Sequence, residues 1–138
     1  EGIEGLPGSE RGLGLLDLET MMTGDKRLTE VSAVHVPTGC PMSGYEMHKG
    51  RSDGPDRARP FARIDGVDEG AMSADGRVAG SYLHGMFRSD AFRRAWLDGF
   101  GVAAADATYD QTVQATLDDL ADWLEAHVDV QGLLAIAR

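Results

Sequence analysis

The sequence predicts an α/β fold, with strands in its first part and helices at the C-terminal end. Three observations carry this expectation. The 18 glycines sit mostly before Gly101, among short alternating or β-branched runs that end in turn residues. From Ser89 onward the apolar residues recur at helical spacing instead. At 138 residues, 42% hydrophobic and 26% charged, the chain has the size and composition of one globular domain with a sizeable core. The organisation expected is one partial domain over 1–138, strand-rich over 1–88 and helical over 89–138.

The elements follow in order. "GLGLLDLETMM" (12–22) opens with a short apolar run and reads as a turn and strand. "LTEVSAVHVP" (28–37) alternates and is rich in β-branched residues, which predicts a strand with Val34 and Val36 on one face and His35 on the other. Pro37 to Pro41 is a turn cluster, so "MSGYEMHKG" (42–50) is expected to return as the second arm of a hairpin. Period two then puts Tyr45, Met47 and Lys49 on one face and Glu46 and His48 on the other. "RSDGPDRARP" (51–60) reads as a polar loop, and "FARIDG" and "GAMSADGRVAGSYLHG" as short strands around an Asp75-Gly76 turn. Ser89 or Asp90 can cap a helix over 89–100 that spaces Phe92, Ala95 and Trp96 along one side. Thr108 and Gln111 have capping-box spacing before a longer helix with a stripe of Val113, Leu117, Leu120, Leu124 and Val128. Trp96 and Trp123 are expected in the core.

Composition excludes several functions. A net charge of −10 with no basic stripe argues against nucleic acid, whose phosphates need clustered Lys and Arg. No apolar run approaches the roughly 18–20 residues of a membrane span. A single cysteine, Cys40, allows no internal disulfide and suits a reducing cytoplasm. The opening "EGIEGLPGSERG" has no initiator Met and no signal-peptide pattern, and reads as the interior of a longer protein.

The strongest chemical candidate is His84 in "GSYLHGMF" (80–87). A strand end beside a glycine fixes the Cα while exposing the ring, and imidazole is the side chain suited to general acid–base work near neutrality. The competing reading is a turn histidine that merely bonds a backbone carbonyl. Cys40 lies in a proline-flanked turn with neither a helix N-terminus nor a nearby cation to activate it, so it is not expected to be a nucleophile. Neither Ser43 nor Ser81 stands in a G-x-S-x-G elbow. Glu46 and His48 could orient a base, bind a polar substrate, or form a buried pair. His35, His48 and His84 lack the close spacing of common zinc sites, so no metal is expected. No Walker A or G-x-G-x-x-G pattern is present, so any ATP site would lie elsewhere.

Taken in order, "GIEGLPGSERGLGLLDLET", "GYEMHKGRSDGPDRARPF", "EGAMSADGRVAGSYLHGMF" and "FRRAWL" closely resemble the C-terminal glutamine amidotransferase domain of the cobyric acid synthases, over about residues 1–97. The resemblance implies a class I glutaminase-like α/β fold, of which this chain is the C-terminal part. It implies that a cysteine on a strand–turn–helix attacks the carboxamide of glutamine, with His84 as base and acid. The ammonia would pass to a synthase domain that uses ATP and Mg²⁺ to amidate four carboxylates of adenosylcobyrinic acid a,c-diamide, a corrinoid of cobalamin biosynthesis. The nucleophile belongs, by the same resemblance, to a glycine-rich turn ahead of "GIEG", so this chain alone is expected to be inactive. Many class I glutaminases carry a glutamate two residues after the histidine; here that residue is Met86, and Glu46 is the nearest candidate acid. Tyr45, Glu46 and His48 are candidates for the glutamine pocket. Alternatives are the related cobyrinic acid a,c-diamide synthase, a cell-wall amidotransferase, or a non-catalytic binding module of the same fold. An incomplete sheet would expose an edge and apolar surface, from which self-association is expected.

Overall fold

The computed structural model describes residues 5–137, except for the side chains at 25–27. Residues 1–4, which include the first three of the "GIEG" stretch (2–5), lie outside them. The architecture is mixed α/β: strands come first and helices follow. The described residues divide into two units, one running to Ala104 and the other beginning at Ala105.

The first unit is built on a long hairpin of β1 (Glu19–His35) and β2 (Pro41–Asp53), joined through the predicted turn. Its register pairs Glu19 with Asp53 and Val34 with Pro41, and shifts between Met22 and Arg27, where "TGDK" interrupts the alternation. Three short strands complete an antiparallel sheet in the order β4-β3-β1-β2-β7: β3 (Ala62–Ile64), β4 (Val67–Glu69) and β7 (Leu83–His84). A separate two-stranded pair is formed by β5 (Ala71–Met72) and β6 (Ala79–Gly80). The expected loop over 51–60 differs in part. Arg51–Asp53 continue β2, and Pro55–Ala58 form a 3-10 turn with proline in its first turn. The β3–β4 hairpin is an addition to the sequence reading: Asp65 and Gly66 both adopt positive φ, 49° and 81°, which is the conformation of a two-residue type I′ turn.

Burial follows the pleat. Ala33 and Met42 turn inward to meet Phe61, Ala62, Ile64 and Leu83, and α1 (Asp90–Asp98) adds Phe92, which is fully buried. Burial of one such ring contributes roughly 1.5–3 kcal/mol. Val34 stays exposed on the opposite face, as the alternation requires, together with Leu28, Tyr45 and Met47. Trp96 packs against the core as expected.

His35 is a core residue. Its ring is 2% exposed and stands 4.8 Å from Phe61 and 5.0 Å from Phe92, with Nδ1 2.7 Å from the Thr38 hydroxyl. Burial pushes its pKa below the ordinary value near 6.5. As pH falls through 6.5 the unfolded chain therefore binds a proton that the folded chain refuses, and stability drops by at most about 1.4 kcal/mol per pH unit. Urea unfolding between pH 7.5 and 5.5 is expected to show this slope in the wild type and its loss in His35→Phe; equal slopes in the two proteins would count against it.

The second unit holds α2 (Tyr109–His127) and α3 (Val130–Ile136). The capping box forms as predicted: Gln111 N donates to the Thr108 hydroxyl, and the Gln111 side chain accepts from Thr108 N. The expectation for Trp123 is corrected. It is 56% exposed and stacks on His127 at 4.5 Å, because the α2 stripe has no second apolar layer within its own unit. Among the described residues no helix is long and apolar enough to cross a membrane.

Candidate functional site

Three local features place His84. It lies on the edge strand β7, where His84 pairs with Tyr45 and Leu83 with Glu46. Gly85 follows in the left-handed region (φ 76°), so the chain leaves the sheet at once into a 3-10 turn at Met86–Arg88. Gly44 lets β7 lie close: a Cβ there would stand 2.1 Å from the His84 carbonyl oxygen.

Pairing decides which candidates share a face. Tyr45 is directly opposite His84, and the two rings stack at 5.3 Å with 20° between their planes. Leu83 turns into the core, so Glu46, opposite Leu83, is on the other face from His84. Glu46 is therefore not placed to orient the His84 ring. Met86, in the position where the resemblance calls for an acid, packs against the core.

The polar partner of the His84 ring is a backbone carbonyl. His84 Nδ1 lies 2.9 Å from the Tyr82 carbonyl oxygen. A carbonyl can only accept, so Nδ1 carries the proton and the neutral ring keeps its lone pair at Nε2. The carbonyl bond expected of a turn histidine is therefore present.

Glu46 and His48 line a groove of about 780 Å³ with Ser52, Arg57, Glu69 and Tyr82. His48 donates from Nδ1 to the Gly50 carbonyl at 2.7 Å and stacks on Tyr82 at 4.2 Å and 14°. The Tyr82 hydroxyl meets Ser52 Oγ at 2.7 Å, and Ser52 meets Thr20 at 2.6 Å. His48 supports the residue whose carbonyl holds His84; the two imidazoles do not share a pocket.

Cys40 closes the β1–β2 turn and packs against the core. Five residues of strand, about 16 Å, separate it from the Tyr45 position opposite His84. Among the described residues no three His, Cys, Asp or Glu side chains are grouped to hold a metal ion.

Comparison with known proteins places the chain in a family. Residues 1–92 match the model of the CobB/CobQ-like glutamine amidotransferase domain. The chain belongs to the CobB/CobQ-like glutamine amidotransferase family. It is 62% identical over 136 residues to a cobyric acid synthase of Jannaschia sp. strain CCS1, covering 99% of this chain and 28% of that protein. A cobyric acid synthase of Cereibacter sphaeroides is 61% identical and one of Bradyrhizobium diazoefficiens 56%, each over all of this chain and 29% of the relative. The chain thus spans less than a third of the length of these curated relatives. No solved structure matches it. As a CobB/CobQ-like amidotransferase domain, the chain carries His84 and the Gly44-Tyr45-Glu46 strand within the matched residues.

Proposed function

We propose that this chain is the histidine-bearing part of the glutaminase site of a cobyric acid synthase. In this reading His84 serves a thiol supplied by polypeptide outside these 138 residues. The observation that carries it is the His84 ring itself: its Nδ1 proton is engaged by the Tyr82 carbonyl, leaving a basic Nε2 on an edge strand.

The chemistry follows from that lone pair. Nε2 takes the thiol proton, and the sulfur attacks the carboxamide carbon of glutamine to give a tetrahedral intermediate. The imidazolium returns the proton to the departing nitrogen, the C–N bond breaks, and ammonia leaves. Water, deprotonated by the same Nε2, then cleaves the thioester to glutamate and regenerates the thiol. Tyr45, stacked along the ring, restricts its rotation and forms one wall of the approach. The ammonia would amidate carboxylates of adenosylcobyrinic acid a,c-diamide, activated with ATP and Mg²⁺ on the synthase part, in the cytoplasm.

The test is a graft. Residues 1–138 replace the matching segment of the Jannaschia cobyric acid synthase, and release of glutamate and ammonia from glutamine is measured. The expected result is glutamine hydrolysis comparable to that of the parent. A folded graft that hydrolyses none, beside an active parent, would return His84 to a binding role.

A further inference from the structure

The Tyr82 carbonyl that fixes the His84 tautomer is itself held in place, and the group holding it is Glu69. Glu69 is 7% exposed and ends β4. Gly70, at φ 71°, turns the chain directly after it; a Cβ there would lie 2.5 Å from the Gly80 carbonyl oxygen. Ala71 then pairs with Gly80 in the β5–β6 ladder. This brings the Glu69 carboxylate over the segment that leads into β7. One oxygen accepts from Tyr82 N at 2.7 Å, and the other accepts from Ser81 Oγ at 2.7 Å. Ser81 Oγ in turn accepts from Leu83 N at 3.0 Å.

Two consecutive amides, Tyr82 directly and Leu83 through Ser81, are thereby tied to one buried carboxylate. Leu83 N and the Tyr82 carbonyl that accepts from His84 Nδ1 belong to one peptide unit. Fixing this unit's own N–H and the N–H of the unit before it sets the plane of the peptide and so the direction of its oxygen.

We propose that Glu69 is a positioning residue for His84: acting through the Tyr82 peptide, it holds the imidazole in the tautomer that leaves Nε2 basic, as a directly bonded acid does in a triad. The proposal rests on His84 being the base of the glutaminase site. It explains how an imidazole with Met86 where an acid is expected can still be oriented. It also gives a function to a buried carboxylate on a strand end with no role in the reaction as described.

The test reads the tautomer directly. ¹⁵N chemical shifts of both ring nitrogens of His84 are measured in the full chain, at a pH where the ring is neutral, with the ring signals of buried His35 reporting the fold. In the wild type the proton is expected on Nδ1. Glu69→Ala should lower the ratio of Nδ1–H to Nε2–H by about fivefold, the size of one net hydrogen bond. Glu69→Gln, which keeps an acceptor for Tyr82 N, should retain the wild-type ratio. An unchanged ratio in a folded Glu69→Ala protein would overturn the proposal. Where Glu69→Ala loses the His35 signals, Ser81→Ala, which breaks the Glu69–Ser81–Leu83 link and keeps the Glu69–Tyr82 bond, is read in the same way: a fall in the ratio supports the proposal and an unchanged ratio overturns it. Failure of the underlying reading would show separately, as a kcat for glutamine hydrolysis by the His84→Asn graft within about threefold of the wild-type graft.

Discussion

In the grafted synthase, His84→Asn is expected to lower kcat for glutamine hydrolysis by about 10³-fold, with KM little changed. The choice of asparagine matters. Its amide N–H can still donate to the Tyr82 carbonyl, which keeps the β7 strand end and the Tyr45 contact in place. What it lacks is the lone pair at Nε2, so the thiol must ionise unaided and ammonia must leave without an acid. Residual activity should remain, because oxyanion stabilisation and substrate binding do not depend on the imidazole. Added imidazole should restore part of the rate if the space left by the ring is open. A kcat within about threefold of the wild-type graft would remove His84 from the chemistry, since general acid–base catalysis contributes at least two orders of magnitude.

Much of this arrangement was legible in the sequence, for physical reasons that can be named. The β1–β2 hairpin announces itself through a turn cluster between two β-patterned runs, and period two correctly separated Tyr45 from Glu46 and His48. The α2 cap follows from Thr108 and Gln111 alone, because that interaction is local. Three features were not legible. The strand β4 has three residues, too few to display a period, whereas its partner β3 falls within the expected "FARIDG" strand. The exposure of Trp123 depends on whether a second layer covers α2, which no helical stripe can state about itself. The Glu69 clamp works through backbone amides and one serine, so no motif of side chains marks it. The one available signal was the pair of glycines, Gly70 and Gly80, at which the backbones of β5 and β6 come close.

Gly44 is the position where the smallest side chain has the largest consequence. A glycine inside a strand forfeits packing and costs backbone entropy, so its presence calls for a close approach by something else. Here the neighbour is the His84 carbonyl oxygen, 2.1 Å from where a Cβ would sit, with the Leu83 side chain at 3.1 Å. A backbone oxygen cannot swing aside as a flexible side chain can. To accept Ala at this position β7 must move outward by about 1 Å, at an overpacking cost of about 1–3 kcal/mol. That shift would move the His84 Cα with it and stretch the two-residue pairing with β2, which has no further ladder to restore it. A misplacement of about 1 Å in a reacting group costs about 100-fold in rate. Gly44→Ala is therefore expected to lower both the melting temperature of the chain and the glutaminase activity of the graft. Gly12→Ala is the control, since a Cβ at Gly12 meets nothing within 4 Å. Should Gly44→Ala keep its activity within twofold and its His84 ring signals unshifted, then β7 has slack that the close approach denies, and Gly44 does not set the position of the base.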